Sequence, residues 1–313
     1  MSEMKTPLVS FVIPAYCEES NIENTLAQLN VQLEQVEGAF EFVVVDDGSD
    51  DGTWDVLEKL STSMPNLNAL RFSRNFGKEA ALYAGLEASR GDAVIVIDAD
   101  LQHPVEIIPE MIQIWQQTQA GVVDAKRQQR GSEPFWRRIG AWVFYAMLRA
   151  LSGYDLMGMS DYKLLDREVV DAFLAMKERN RFFRGMIPWL GFKHVEISFV
   201  TSERSGGDSK WSLRKLVSLM VTAITSFSSK PLQLITLLGS LFFIFSLLLV
   251  SLVLYQISTN QAVEGFATVI ILQLIIGSII MLGLGLVGTY LAKIYEEVKQ
   301  RPFFVTKETL KKK

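Results

Sequence analysis

The chain contains the stretch Val94-Ile95-Val96-Ile97-Asp98-Ala99-Asp100-Leu101-Gln102, which decides its fold class. Four β-branched apolar residues in a row predict a short strand that is buried on both faces, as in a parallel sheet. The run stops at Asp98 and Asp100, and open α/β sheets bind ligands at the carboxyl ends of their strands. Two carboxylates there suit Mg²⁺ or Mn²⁺ together with a substrate diphosphate. On its own, the motif also fits a strand followed by a solvated acidic turn.

Strands and helices alternate on both sides of this stretch. The apolar patterns predict strands at Leu8–Ile13, Phe40–Val45, Asn68–Phe72 and Val122–Ala125. They predict helices at Asn21–Val36, from Asp51 or Thr53 onward, at Glu79–Ser89 and at Val105–Thr118. This alternation indicates a mostly parallel sheet. Acidic residues follow three of the strands, and like charges at one sheet edge repel one another unless a cation or a hydrogen-bond donor lies among them.

Composition limits the functions and the cellular compartments that the chain can have. The chain has 313 residues, 49% of them hydrophobic, and a formal net charge of −4, which argues against a general nucleic-acid binder. Cys17 is the single cysteine, so no intramolecular disulfide can form, as is typical of a reducing compartment. We expect no signal peptide, because the first apolar stretch is short and stops at Pro14.

The apolar residues are concentrated in the last third of the chain. Leu232–Ile257 and Phe266–Ala292 contain no charged residue, and each exceeds the ~20 residues that a helix needs to cross a bilayer. Lys and Arg flank this pair but are missing from the connection Ser258–Gly265, so the positive-inside rule predicts cytoplasmic flanks and an outward connection. A buried hairpin of a soluble protein is the alternative. The glycine motif at 283–288 fits close helix packing, and hence a homo-oligomer, better than dinucleotide binding.

These features divide the chain into four segments. We expect a cytoplasmic catalytic domain at 1–210, a juxtamembrane amphipathic helix at 211–230, two transmembrane helices within 231–292 (about 232–257 and 266–292), and a basic cytoplasmic tail at 293–313. Phe135–Leu151 also has an apolar helical face, which fits either a helix on the membrane surface or a core helix.

Four motifs occur in an order and spacing that resemble glycosyltransferase family 2, whose members have the GT-A fold. They are Pro14-x-Tyr16-x-Glu18-Glu19, Asp46-Asp47-Gly48-Ser49, Arg74-Asn75-x-Gly77-Lys78 and Asp98-Ala99-Asp100-Leu101-Gln102-x-Pro104. The resemblance implies a Rossmann-like domain that binds a nucleotide sugar together with Mg²⁺ or Mn²⁺. For the nucleotide sugar it implies Pro14, Tyr16, Glu18, Val45, Asp47, Asp98, Ala99, Asp100 and Gln102, and for the metal Asp98, Asp100 and Gln102. Cys17 and His103 stand where the family usually has asparagine and aspartate.

Three later segments resemble the polyprenyl-phosphate branch of this family. They are Asp161-Tyr162-Lys163-Leu164-Leu165, Arg181-Phe182-Phe183-Arg184-Gly185 and Glu203–Trp211. The first match is partial, since Ser160 and Lys163 depart from the branch. The resemblance places Asp161 near the reacting centre, where it positions substrate or acts as a weak base, and we count Asp100 with it as catalytic. Arginine suits phosphate, so we expect Arg127 at the nucleotide sugar and Arg130, Arg204 and Lys210 at the acceptor phosphate.

The two halves of the chain together predict a membrane enzyme. The resemblance implies transfer of a hexose, which we expect to be glucose, from a UDP-sugar to polyprenyl (undecaprenyl) phosphate with inversion. The reaction would occur at the cytoplasmic face of the inner (plasma) membrane and give a lipid-linked sugar for cell-surface glycosylation. Three alternatives are a processive polysaccharide synthase, a transferase with a protein or other soluble acceptor, and a non-catalytic scaffold or translocator. A processive synthase would carry a Q-x-x-R-W motif and more membrane spans, and the sequence shows neither. The intact set of carboxylates argues against a non-catalytic protein.

Overall fold

The computed structural model describes residues 7–127 except 35, 37, 101 and 102, residues 160–199 except 180, scattered positions between 235 and 259, and residues 265–311. The amphipathic segments 135–151 and 211–230 lie outside the described residues, as does much of the predicted first span, 232–257. The described residues fall into two units, one made of residues up to 199 together with those from 301 onward, and one within 235–300.

An eight-stranded sheet forms the first unit. Its strands are β1 (Leu8–Ala15), β2 (Ala39–Asp46), β3 (Leu67–Phe72), β4 (Ala93–Val96), β5 (Val122–Arg127), β6 (Lys163–Asp166), β7 (His194–Phe199) and β8 (Thr306–Leu310). The strand order is β7-β5-β6-β4-β1-β2-β3-β8. β6 and β8 run antiparallel to their neighbours and the other pairs are parallel. The predicted mostly parallel sheet is thus confirmed, and Ala15 pairs with Asp46, so the acidic ends of the strands meet at one edge.

The described helices of the first unit are α1 (Ile22–Leu33), α2 (Thr53–Ser63), α3 (Lys78–Ala88), α4 (Ile108–Thr118), α5 (Arg167–Ala175) and α6 (Phe183–Trp189). The first four helices follow the predicted order with small shifts at their ends, and two further helices, α5 and α6, were not predicted. The predicted helix at 105–118 opens with a 3₁₀ turn, Val105–Ile107, before α4. Pro109 lies in the first turn of α4, where the N–H that proline lacks has no partner within the helix.

Helix α3 packs very closely on strand β1. A Cβ atom added to Gly85 would lie 2.3 Å from Cγ1 of Val12, and Ala80, Ala81 and Ala84 on the same helix are buried. The small side chains of this alanine-rich segment therefore allow the close approach. They also fix the position of the first residue of α3, Lys78, relative to the sheet.

The C-terminal segment adds the edge strand β8, whereas the sequence predicted only a basic tail there. β8 pairs with β3, and the N–H of Ser73 donates to the carbonyl of Val305 (2.9 Å). The rings of Phe304 and Phe72 stack with centroids 4.8 Å apart. Nε1 of Trp54 donates to Oε2 of Glu308, the middle residue of the strand (3.1 Å). Strand β8 is thus part of the same sheet as β1.

A long apolar helix, α7 (Phe266–Val298), dominates the second unit. Its portion Ile275–Val298 is, among the described residues, the one helix long and apolar enough to cross a membrane, and none of its most apolar window is buried. The predicted second span, 266–292, lies within α7. The predicted two-helix hairpin is not established, because the first span falls largely outside the described residues.

Replacing Phe304 by alanine should destabilise the first unit. Phe304→Ala removes the ring that stacks on Phe72, and we expect a loss of ~1–2 kcal/mol, or roughly 2–8 °C in Tm for a domain of this size. Thermal unfolding of the full chain in detergent measures it. The matched control is Val305→Ala, since Val305 is exposed, and equal losses from both variants would contradict a specific role for the stacked pair.

Candidate active site

The turn after β4 carries the two carboxylates of the D-x-D motif. Between them, the carbonyl of Ala99 accepts a hydrogen bond from Oγ1 of Thr25 (2.7 Å), so helix α1 holds the turn in place. Asp98 is partly exposed and Asp100 is exposed. Both therefore lie at the carboxyl edge of the sheet, where ligands bind in folds of this type.

Asp98 forms an ion pair with Lys78. The Nζ atom of Lys78 lies 2.5 Å from Oδ1 of Asp98, and Nε2 of His103 lies 3.5 Å from Oδ2. Burial raises the pKa of the Asp98 carboxyl, but the contacts with His103 and Lys78 outweigh burial and leave the pKa below its usual value. Asp98 is therefore ionised at neutral pH, as a metal ligand must be.

Lys78 also contacts Asp161, which belongs to a motif much later in the chain. Its Nζ atom is 2.9 Å from Oδ2 of Asp161. Arg184 donates two further hydrogen bonds to this carboxylate, from Nε to Oδ1 (2.6 Å) and from Nη2 to Oδ2 (2.8 Å). Burial raises the pKa of Asp161, but Arg184 and Lys78 together hold it well below its usual range. Because a general base works best with a pKa near the operating pH, this environment favours positioning over base action.

Aromatic rings hold His103 beside Asp98. The imidazole packs against the ring of Tyr162 with centroids 4.9 Å apart, and against Phe199 at 6.0 Å. Tyr162 is buried and donates its hydroxyl to the carbonyl of Pro104 (3.0 Å), and burial raises its pKa. Nδ1 of His103 has no hydrogen-bond partner among the described residues. The position of the imidazole therefore depends on ring packing and on its contact with Asp98.

Glu79 is a further titratable group at this site. Its Oε2 atom accepts the backbone N–H of Phe183 (2.9 Å), which joins the start of α3 to the start of α6. Burial, with a smaller contribution from the charge of Asp161, raises the pKa of Glu79 to about 7, although Phe183, Arg184 and Lys78 lower it in part. Glu79 therefore changes its protonation state near neutral pH.

The acidic turn after β2 holds the connection between β3 and α3. Both oxygens of Asp47 accept backbone N–H groups, from Phe76 (2.7 Å) and Gly77 (2.8 Å). Burial raises the pKa of Asp47, and these two hydrogen bonds lower it in part. A Cβ on Gly48, whose φ is +68°, would lie 2.3 Å from the carbonyl carbon of Arg74, so only glycine fits where the two loops meet.

The other residues predicted to bind the nucleotide surround this turn. Tyr16 is exposed, Pro14 is half-buried, and Glu18 accepts a hydrogen bond from Nδ2 of Asn21 (2.7 Å). Val45 is fully buried in β2, so its side chain presents no surface to solvent. Their roles stay predictions. The backbone of Arg127 ends β5, while its side chain and the residues Gln102, Arg130, Arg204 and Lys210 lie outside the described residues.

Cys17 lies in the loop after β1 with a positive φ of 55°. Its Sγ atom donates to Oδ1 of Asp50 (3.1 Å), and this hydrogen bond raises the pKa of the thiol. Reactive cysteines have a lowered pKa. The contacts of Cys17 therefore indicate a structural role in the loop.

The carboxylates of Asp98 and Asp100 fit a divalent metal. Their oxygens are hard ligands, and Mg²⁺ is usually held by one or two carboxylates together with substrate phosphates and water. Asp98 already attracts the ammonium of Lys78, so this position favours a cation. Within the described part of the chain, no three His, Cys, Asp or Glu side chains are grouped so that they could hold a metal by themselves.

Comparison with known proteins identifies the family. The model of glycosyl transferase family 2 matches residues 10–174. The chain belongs to glycosyltransferase family 2. It is 37% identical over 302 residues to an uncharacterised glycosyltransferase of Bacillus subtilis, covering 96% of this chain and 93% of that protein. It is 36% identical over 308 residues to a prophage bactoprenol glucosyl transferase homologue of Escherichia coli, covering 97% and 99%. A bactoprenol glucosyl transferase of Shigella phage SfX is also 36% identical, with 96% and 98% covered. The resemblance seen in the sequence motifs is confirmed.

Three residues of this glycosyltransferase site were given no role by the sequence: Lys78, Glu79 and Arg184. Lys78 and Arg184 nevertheless belong to two of the quoted motifs. The expected repulsion among the acidic strand ends was the signal that could have singled out Lys78, because it required a cation at this edge.

The substitution Glu79→Gln should stabilise the protein at pH 8 and change little near pH 5. The folded-state pKa of about 7 lies above the ordinary value of 4.5. Stability from this group is therefore complete below the lower value and is lost as the pH rises through the higher one. Glutamine keeps an acceptor for the N–H of Phe183 without the charge, so we expect a gain of ~1–3 kcal/mol at pH 8.

Thermal unfolding at both pH values measures this effect. The matched control is Glu87→Gln, because Glu87 is an exposed glutamate on the same helix and its substitution should change the Tm equally little at both pH values. A stabilisation by Glu79→Gln that is as large at pH 5 as at pH 8 would show that Glu79 does not titrate near neutrality.

Proposed function

We propose that this protein transfers a hexose, glucose in our assignment, from a UDP-sugar to a polyprenyl phosphate such as undecaprenyl phosphate. The observation that carries the proposal is that Lys78 contacts both Asp98 and Asp161, at 2.5 Å and 2.9 Å. One of these carboxylates belongs to the donor motif and the other to the motif of the polyprenyl-phosphate branch. The relatives named bactoprenol glucosyl transferases support the lipid acceptor, since they match this chain over almost its whole length.

The donor half of the site would use the strand ends with the GT-A arrangement. We assign Pro14, Tyr16, Glu18, Val45, Asp47, Ala99 and Arg127 to the nucleotide sugar. Asp98, Asp100 and Gln102 would hold Mg²⁺ or Mn²⁺ with the diphosphate. Such an ion offsets the charge that develops on the leaving diphosphate.

The acceptor phosphate needs little activation. The second pKa of a phosphate monoester is near ~6, so its oxygen is mostly ionised at pH 7. This oxygen forms a bond to the anomeric carbon, the bond from that carbon to the diphosphate breaks, and the configuration inverts. No proton has to be removed, which agrees with the lowered pKa of Asp161. Arg130, Arg204 and Lys210 are our candidates for guiding the lipid phosphate to the site.

The path of the chain supports a membrane hairpin with both termini in the cytoplasm. β8 pairs with β3, so the residues after α7 belong to the same sheet as the N-terminal strands. If Ile275–Val298 crosses the membrane, the chain must cross once more before it to reach the same side. The uncharged stretch 232–257 is the segment long enough for that second crossing.

Cysteine labelling tests this topology. In an otherwise cysteine-free chain (Cys17→Ser), a cysteine introduced by Thr259→Cys should react with an impermeant thiol reagent in intact cells, because the connection at 258–265 faces outward. A cysteine introduced by Ser2→Cys should react only after the membrane is opened. The reverse pattern would overturn the assignment of the donor site to the cytoplasm.

Product analysis tests the reaction. Membranes that contain the protein are offered radiolabelled UDP-glucose, other UDP-hexoses or GDP-mannose, and the lipid extract is examined for an acid-labile lipid-linked sugar. We expect label from UDP-glucose in the lipid fraction, dependent on Mg²⁺ or Mn²⁺. Asp98→Asn and Asp100→Asn should each reduce it at least ~100-fold, since each loses a charged contact to the metal. Label in polysaccharide or protein instead of lipid would refute the lipid acceptor, and full activity of both variants would refute the metal assignment.

A further inference from the structure

We propose that Lys78 and Arg184, held in place by Asp161, form the subsite that binds the phosphoryl group of the acceptor. This inference rests on the proposed function, because it assigns a place within that site to the lipid phosphate. It gives Asp161 the role of organising two cations and not of removing a proton.

The first observation is how exposed the three side chains of this cluster (Asp161, Lys78 and Arg184) are. The side chain of Asp161 is only 7% exposed, whereas those of Lys78 and Arg184 are 41% and 44% exposed. The carboxylate is thus covered, and its two cationic partners face outward. The surface that the cluster presents to an incoming ligand is positively charged.

The second observation is that both cations keep N–H groups that can donate to a ligand. Asp161 accepts from Nε and Nη2 of Arg184, and none of the described residues accepts from Nη1 of Arg184. Arginine in this state can still donate to phosphate oxygens, for which its planar group is well suited. Lys78 has three N–H groups, two of which serve Asp98 and Asp161.

The charge balance explains how the subsite becomes available. As described, the charges of Lys78 and Arg184 are matched by those of Asp98 and Asp161. A divalent ion held by Asp98 would compete with Lys78 for that carboxylate, and Lys78 would then keep only Asp161 as a partner. Two cations would then face one fully ionised carboxylate. Glu79, whose pKa is raised by burial, would offset the excess positive charge only in part, and a phosphate anion would restore the balance. Acceptor binding would thus be favoured once the donor site is filled.

Position favours the acceptor over the donor as the source of this phosphate. The donor diphosphate belongs at Asp98 and Asp100. Among the described residues of the two motifs, Arg184 forms its ion pair with Asp161. Inversion requires the incoming oxygen on the side of the sugar opposite the diphosphate.

Arg184 lies on α6, which ends at Trp189, and the side chain of Trp189 is 57% exposed. An exposed tryptophan suits an apolar chain or the membrane interface, as expected where an isoprenoid arrives.

Binding of a short acceptor analogue, measured with UDP and Mg²⁺ filling the donor site, tests the proposal directly. The probe is farnesyl monophosphate, with farnesol as the uncharged partner, titrated into the full chain in detergent. We expect the unchanged protein to prefer the phosphate. Arg184→Gln should weaken binding of farnesyl monophosphate about ten- to hundredfold, as for the loss of one charged hydrogen-bonded contact. Binding of farnesol, and of UDP with Mg²⁺, should stay within about twofold.

Three further variants separate this role from a structural one. Arg184→Gln combined with Asp161→Asn removes both charges of the pair, so no buried charge is left alone, and it should show the same loss. Lys78→Met should lower the affinity for farnesyl monophosphate in the same direction. The matched control is Arg90→Gln, because Arg90 donates to Oε2 of Glu41 from Nε (3.2 Å) and Nη2 (3.0 Å) at the start of β4, at the other edge of the sheet. It should leave the affinity for the probe unchanged.

The outcomes distinguish this inference from the proposed function. If the unchanged protein prefers the phosphate and the Arg184 variants keep that preference, the inference is wrong while the lipid acceptor stands. If the variants lose UDP affinity instead, the two cations belong to the donor and the inference is also overturned. If the unchanged protein binds farnesol and farnesyl monophosphate equally and transfers no sugar to lipid, both proposals fail.

Discussion

Repulsion among carboxylates at the carboxyl edge of the sheet is the constraint on which this site depends. Parallel strands bring their acidic ends together, and like charges in partly buried positions must each find a cation or an N–H donor. The segment from Arg71 to Lys78, which links β3 to α3, provides partners for four of them. Arg71 lies 3.4 Å from Asp46, two backbone N–H groups donate to Asp47, and Lys78 contacts both Asp98 and Asp161. This one connection therefore organises the predicted nucleotide side and the predicted reacting side of the candidate site together.

The C-terminal strand, which follows the long apolar helix α7 in the chain, packs beside the same connection. β8 covers the outer edge of β3, which would otherwise present unpaired backbone groups to solvent. The segment before β8 also reaches the start of α6, since Nη1 of Arg179 donates to the carbonyl of Arg301 (2.6 Å) and the ring of Phe303 lies near Arg181 (5.2 Å). Arg184 follows Arg181 by three residues and lies in the first turn of α6. The tail thus supports the element that carries one of the two cations at Asp161.

Much of the fold could be predicted because it is written in local patterns. Continuous β-branched runs indicate buried strands. Helix α1 is indicated by apolar residues at helical spacing, and these four side chains are all buried: Ile22, Leu26, Leu29 and Leu33. The polar ends of these strands then predicted the edge at which the site lies. Strands β6 and β7 were not predicted. The antiparallel direction of β6 could not be predicted either, because strand direction depends on the connection from β5 and not on the residues of the strand. The five residues of β8, Thr306–Leu310, were missed because most of them are charged or polar, as suits an edge strand.

The amino-acid sequence by itself determined the class of protein: the order of strands and helices, the D-x-D carboxylates, the apolar last third, and membership of glycosyltransferase family 2. These features rest on short-range periodicity and on motifs whose residues are close together in the chain. Only the tertiary structure decided which cation serves which carboxylate, that Asp161 is surrounded by Lys78 and Arg184, and that the tail completes the sheet. The physical reason is that an ion pair or an edge strand depends on which distant segments the packing brings within a few ångströms, and no local pattern records that distance.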